Sequence, residues 1–294
     1  MFVRADRLLA GPPPTWMSQH AISFHWDGFE PHFFTFDLER AELGELDLGH
    51  IDLVVSKERG CVGRWDERYE PCPHHAVLNG AFDQCPKCAE VWIPHQECIF
   101  EPRCEGELCE AQFCKKMHLV YAAFYGDLVK IGMTGGNRWR QRAIEQGADA
   151  IAPLVECANR KRARDMENFV SKGLELTQRV GGKQIVKQLT KNPSQVHLKQ
   201  RYSRLVDELK MILARSRPDQ LVLEDRIEFL NDYPKNREVG ETPIIVRTEG
   251  RHLGRMLMIK GKFVFFEDEV DSQLKMLELP DVVSRYIEPR GRKP

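Results

Sequence analysis

The stretch HLVYAAFYGDLVKIGMTGGNRWRQRAIEQGA, His118–Ala148, places two apolar runs on either side of Gly126-Asp127 and follows them with a glycine turn and a series of arginines. A glycine-led two-residue loop suits a hairpin, because its backbone twist matches that of the flanking strands. With Gly126 and Asp127 as the loop, Tyr125 faces Leu128, Ala123 faces Lys130 and Tyr121 faces Gly132. Alternation then sends Val120, Ala122, Phe124, Val129, Ile131 and Met133 to a core. Tyr121, Lys130 and Gly132 go to an open face, with the glycine leaving space beside the tyrosine ring. Beyond it, Thr134-Gly135-Gly136 turns into a helix that Asn137 caps and Gly147 ends, presenting Arg138 and Arg142 on one side.

Outward from the hairpin, the chain reads as α+β. Residues 1–60 show period-two runs, AISFHW and PHFFTFDLE, and form an N-terminal β unit. Residues 61–117 are a cysteine-rich, zinc-ribbon-like region, and 118–180 are the hairpin and its helices. Residues 181–240 form a basic helical segment, with Pro193-Ser194 as a start signal and SRPD as a break. Residues 241–294 return to strands, PIIVRTEG, RMLMIKG and KFVFFED, as a C-terminal β unit with a basic tail.

A chain of 294 residues, 42% hydrophobic, can bury a core and is long enough for more than one domain. No apolar run approaches the ~18 residues of a membrane span, and the apolar stretch in MFVRADRLLAGPPPTW is too short for a secretory signal. A cytoplasmic location is the resulting expectation. The formal net charge of −1 hides an asymmetry. Between Ala158 and Arg217 the count of Lys and Arg is fifteen against five Asp and Glu, which leaves that segment at +10 and the remainder at −11. A basic block of this kind is an electrostatic footprint for a polyanion, the plainer alternative being a solvated helical face. Its candidate contacts, with the nearby helix arginines, are Arg138, Arg140, Arg160, Lys161, Arg162, Lys183, Lys187 and Lys199.

Of nine cysteines, eight fall between Cys61 and Cys114, which in a reducing compartment points to metal rather than disulfides. Cys61, Cys72, Cys85 and Cys88 include a C-P-x-C turn, a spacing that lets two thiolates reach one tetrahedral ion while turn amides donate to the sulfurs. Cys98, Cys104, Cys109 and Cys114 lack such a turn but sit among Glu and Gly with little apolar cover, so a second zinc ion is the expectation there. His95, His118 or the pair His74 and His75 are candidate substitutes at either site. Neither site shows an open position, so both read as structural. Cys157 stands apart and reads as a small buried hydrophobe.

LVYAAFYGDLVKIGMT resembles the paired strands of the GIY-YIG nuclease domain, with Leu119-Val120-Tyr121 at the first triplet and Lys130-Ile131-Gly132 at the second. Arg142 matches the helix arginine of those nucleases and Glu167, in ARDMENFVSKGL, their metal-binding glutamate. The resemblance covers about Leu119–Leu174. With the preceding cysteines, the chain is similar to an uncharacterised prokaryotic family that joins cysteine-rich segments to a GIY-YIG-like half. The resemblance implies a catalytic set of Tyr121 near an attacking water, Arg142 on the phosphate and Mg²⁺ on Glu167. Three positions depart from it: Leu119 replaces a glycine, Lys130 the second tyrosine, and Gln146 a histidine often found there. A cationic Lys130 attracts phosphate instead of acting as a base. The expected function is therefore a zinc-containing protein that binds RNA or DNA, free or in a nucleoprotein such as the ribosome, without cutting it. An Mg²⁺-dependent endonuclease and a scaffold for an acidic protein are the alternatives.

Overall fold

The computed structural model describes residues 17–89, 96–98, 101–108, 112–189, 193–237 and 239–290. In chain order its first strands are β1 (Gln19–Asp27), β2 (Glu30–Asp37), β3 (Glu42–Glu45), β4 (His50–Arg59), β5 (Arg64–Trp65) and β6 (Tyr69–Glu70). Next come α1 (Gln112–Lys115), β7 (His118–Tyr125), β8 (Leu128–Gly135), α2 (Trp139–Gln146), β9 (Ala150–Cys157), α3 (Arg160–Gly173), α4 (Gly182–Leu189) and α5 (Gln195–Ser216). The remainder is β10 (Glu228–Phe229), β11 (Ile244–Ile245), β12 (Gly250–Lys260), β13 (Phe263–Asp268), β14 (Leu274–Glu278), α6 (Leu279–Val282) and β15 (Arg285–Pro289). The protein is thus mixed α+β and rich in sheet. Among the described residues no helix is long and apolar enough to cross a membrane.

The chain divides into two compact units. One comprises Met1–Glu90, Pro234–Glu238 and Pro243–Pro294, and the other Val91–Tyr233 with Val239–Thr242. The first is built on a nine-stranded sheet in the order β11-β14-β13-β12-β4-β15-β1-β2-β3. The segments read from the sequence as units at the two ends therefore share one sheet, and β15 lies between β4 and β1. The physical reason is edge satisfaction: β1 and β4 each carry an unpaired backbone row that the late strand fills on both sides. Ile51, Leu53 and Val55 of β4 alternate into the core, whereas Phe263–Phe266 of β13 are buried on both faces.

The second unit holds a sheet ordered β10-β9-β7-β8. The β7–β8 register is that expected from the Gly126-Asp127 loop, pairing Tyr121 with Gly132, Ala123 with Lys130 and Tyr125 with Leu128. Gly126 takes the positive φ of 52° that the turn needs. Val120, Ala122, Phe124 and Ile131 pack with Ala163, Met166 and Val170 of α3 and with Leu198, Leu205 and Leu209 of α5. The Val, Leu, Ile, Phe and Met side chains among these contribute roughly 1.5–3 kcal/mol each on full burial. Ser194 caps α5, its hydroxyl accepting from the His197 amide at 3.2 Å.

The structure corrects two expectations here. The face bearing Tyr121 is not open: every residue of β7 is buried. Ala143 and Ile144 of α2 are buried, and the Tyr233 hydroxyl donates within reach of the Ile144 and Ala148 carbonyls, at 3.4 and 3.1 Å. The helix thus roofs the sheet rather than leaving it to solvent. Gly147 ends α2 in the left-handed conformation as expected, but the N-cap position is held by Arg138, without a side-chain cap, and not by Asn137.

Candidate functional site

Cys61 follows the end of β4, Cys72 follows the β5–β6 ribbon, and Cys85 and Cys88 sit on one turn. Their sulfurs all lie within 4.8 Å of one another, with Cys72 and Cys85 4.0 Å apart, and all four residues are buried. A tetrahedral ion at ~2.3 Å from each thiolate places sulfurs about 3.8 Å apart, so the cage already has the right size. Its backbone is prepared as well. The Cys85 amide donates to the Cys61 sulfur at 3.2 Å, and the Cys88 amide to the Cys85 carbonyl at 3.0 Å. Gly63 permits the tight turn after Cys61, at φ +74°, where a Cβ would stand 2.2 Å from the Glu70 carbonyl oxygen. Arg59 spans the loop, donating to the Gly80 carbonyl and to Asp83 at 2.8 Å.

Burial pushes the Cys61 thiol up to about 11 and the Cys88 thiol higher still. For Cys85 burial acts in the same sense, but the amides of Lys87 and Cys88 outweigh it and hold this thiol below its ordinary value. Four buried thiols at this spacing cannot all ionise unaided, and a divalent cation bound among them would supply the compensating charge. Donor type, spacing and amide support fit zinc in a closed structural site. His74 and His75 are exposed and stand outside the group.

The second cysteine group is different. Cys98 and Cys114 are buried and Cys104 partly so, but among the described residues no second set of three or more ligand atoms converges. Cys109 and His95 lie outside the described residues. Arg160 occupies this region: its guanidinium donates to the Cys98 carbonyl at 2.7 Å, lies 3.9 Å from the Cys114 sulfur and sits over the Phe113 ring at 5.7 Å. Arg160 was expected to contact phosphate at the surface; only 5% exposed, it ties the cysteine segment to the start of α3 instead. His118 is buried with Nδ1 2.9 Å from the Lys116 carbonyl, and burial, then the Arg160 charge, depresses its pKa.

On the roofed face of β7–β8 lies a polar cluster. Gly132 is obligatory in it, because a Cβ there would come 2.7 Å from the Tyr121 ring and hydroxyl. Lys130 Nζ donates to Gln146 Oε1 at 2.7 Å, and the Tyr125 hydroxyl donates to the same oxygen at 3.3 Å. Burial raises the Tyr121 pKa against the opposing pull of Arg142 and of a hydrogen bond with Gln146. Glu167, buried at 6% exposure, accepts from Arg164 at 2.7 Å. Its pKa is raised by burial, an effect that the charges of Arg164 and Lys130 only partly offset. Tyr121, Lys130, Arg142 and Glu167 therefore stand within electrostatic reach of one another. Arg142 itself is exposed on one side and donates to Glu145 at 2.9 Å.

Sequence reasoning omits Arg164, although its i,i+3 spacing to Glu167 on a helix is the available signal. Arg164 also donates to Glu101 at 2.9 Å and to Gln178 at 3.2 Å, so two further groups hold it over Glu167. Of the remaining basic candidates, Arg138 pairs with Glu145, Arg140 with Glu228, Lys161 with Asp165 and Arg162 with Glu105. Lys183, Lys187 and Lys199 are exposed on α4 and α5. Cys157 lies in the apolar core beside Met166, and burial pushes its thiol up to about 11.

A family model described as a protein of unknown function (DUF2797) matches residues 49–277, a span that contains both the four-cysteine centre and the polar cluster. No curated protein and no solved structure matches the chain.

Proposed function

Because the chain belongs to the DUF2797 family, whose model runs through both sites, we propose that it is a nucleic-acid-binding protein with a structural zinc centre and a GIY-YIG-like half that grips phosphate without cleaving it. The observation that carries this reading is the state of Glu167. A carboxylate that serves a catalytic metal must offer its oxygens to the ion, which then stabilises charge on the phosphate. Glu167 instead gives Oε2 to Arg164 at 2.7 Å, and Glu101 and Gln178 fix that guanidinium in place. The cluster thus carries its own permanent cation.

Further support comes from the other members. Lys130 adds an ammonium beside Gln146, and Arg142, bound at the surface to Glu145, can exchange that carboxylate for a phosphate with the same planar fork. Lys183, Lys187 and Lys199 lengthen the positive surface of this unit, contributing affinity without sequence preference. Zinc at the four cysteines holds the loops of the first unit and takes no part in the chemistry of the second.

The test measures binding and integrity of labelled single-stranded and duplex DNA and RNA with the full chain, with and without Mg²⁺. Binding that needs no Mg²⁺, intact nucleic acid, equal or tighter binding by Glu167→Gln and modestly weaker binding by Arg142→Ala are expected. Mg²⁺-dependent cleavage that vanishes in Glu167→Ala would instead establish the nuclease. Salt-sensitive association with an acidic protein and none with nucleic acid would establish the scaffold.

A further inference from the structure

The first unit carries a run of contacting rings, stacked at one end and tilted or edge-on at the other, that neither site uses. On β1 and β2 the pairs Phe24–Phe33 and His25–His32 are consecutive in register, so they point to opposite faces. Phe33 is fully buried in the core, and His25, His32, Phe34 and Phe36 share the other face. There His25 stacks on His32 at 5.5 Å and on Phe34 at 5.4 Å. The β5–β6 ribbon continues the run: Trp65 meets Phe34 at 5.9 Å and Tyr69 at 5.1 Å, and Tyr69 meets Phe36 at 5.2 Å. The inner end is closed, and the outer end is open, with Trp65 42% exposed and His25 exposed.

The segment that carries these rings is acidic on balance, although Arg64 and Arg68 flank Trp65, Arg64 being paired with Glu70. Residues 17–70 hold twelve Asp and Glu against five Lys and Arg, a net of −7. Glu45 lies directly opposite Phe34 on the same face and holds His32 at 2.7 Å. Asp66 and Glu67 are exposed in the turn beside Trp65. A phosphate backbone is repelled by such carboxylates, and a purely apolar partner has no use for them. Aromatic faces bordered by carboxylates suit a flat cation that can stack on a ring and fork onto an acid at once.

We infer that this ring-and-carboxylate face of β1, β2 and the β5–β6 ribbon docks an arginine-rich polypeptide segment. Guanidinium groups stack on Trp65, His25 and Phe34 and pair with Glu45, Asp66 and Glu67. Arginine is favoured over lysine because an ammonium cannot stack and is more strongly hydrated. The ribbon is the loop between Cys61 and Cys72, so the four-cysteine centre braces the platform from behind.

The test titrates the full chain with fluorescein-labelled nona-arginine, nona-lysine and a single-stranded oligonucleotide. Nona-arginine should bind at least about threefold more tightly than nona-lysine, and Trp65→Ala should weaken nona-arginine about tenfold, whereas Trp65→Phe, which keeps a ring, should retain most of the affinity. Metal content and urea midpoint measured on each variant separate loss of the ring from loss of the fold. Equal affinity for the two peptides, or an unchanged affinity in Trp65→Ala, would overturn the inference. Oligonucleotide binding, carried by the other unit, should be unchanged in Trp65→Ala; its loss would overturn the inference by assigning this face to nucleic acid, and it would also show that the Glu167 cluster alone does not hold nucleic acid.

Discussion

Replacing Arg164 with alanine removes the cation that faces Glu167 and tests whether the pair is a fixed element of the cluster or an ordinary surface contact. The side chains are 22% and 8% exposed, and the link is 2.7 Å long. Deleting one partner of a fully buried pair costs about 3–5 kcal/mol, because the other charge is left desolvated; the partial exposure of Arg164 and the nearby Lys130 lower the expected loss to about 2–3 kcal/mol. The loss should depend on pH in a definite direction. Burial already raises the folded-state pKa of Glu167 above its ordinary value, and without Arg164 it rises further. Between the unfolded and folded values the folded state binds the extra proton, so stability falls as pH rises through that window. Urea unfolding of Arg164→Ala should therefore show the full penalty near neutral pH and a smaller one towards pH 5, and Glu167→Gln in the same background should recover most of it. Added Mg²⁺ should raise the midpoint of Arg164→Ala and leave the native protein unchanged. An unaltered midpoint, or one equally lowered at both pH values, would show that the arginine is not standing in for a metal.

Three other outcomes follow from the geometry. Cys85→Ser should abolish zinc retention and loosen the first unit, whereas Cys157→Ser, at a residue packed with the core of the second unit and outside the four-cysteine group, should leave zinc retention intact and lose little stability; metal analysis with thermal melts distinguishes them. His20 is buried against Tyr286 and its pKa is depressed to about 4 by burial, so the folded state resists its protonation while the unfolded state accepts it. Stability should fall by up to about 3 kcal/mol as pH drops from 6.5 towards 4, and His20→Gln should flatten that slope in acid titrations followed by circular dichroism. Alanine at Lys183, Lys187 and Lys199 together should reduce the salt dependence of nucleic-acid binding by about 0.7–0.9 for each phosphate that the protein no longer neutralises, while alanine at Arg140, whose charge is already matched by Glu228, should change it little.

The features legible in the sequence are those fixed by short-range rules. The Gly126-Asp127 turn sets the register of β7 and β8, and the C-P-x-C turn with two flanking cysteines marks the metal cage. The stripe of Ala163, Met166 and Val170 likewise places Glu167 at the edge of a packed helix face. What escapes is set by distant partners. AIAPLVEC is a central strand covered on both faces, so it shows no alternation and cannot be told from a buried helix by period alone. The short β14 and β15 lack the length to announce themselves. The burial of Tyr121 depends on α2 and on Tyr233, which approaches from far along the chain. The burial of Arg160 likewise depends on the backbone of Cys98, for which a run of positive charge gives no warning.

The position of β15 has a consequence for the order in which the molecule is made. Val55 pairs with Ile287, so β4 and β1 leave the ribosome long before the strand that joins them. The second unit is drawn from the intervening chain, Val91–Tyr233, and its hairpin and helices can close on local contacts while the first unit waits. During that interval the rows of β1 and β4 that β15 will cover are open to pairing with other chains. The four cysteines, all within the first ninety residues, can assemble around zinc in the meantime and give the early half of the sheet an anchor that does not depend on its last strand. Zinc supply during synthesis should then govern the yield of folded protein more strongly than it governs the stability of the finished fold.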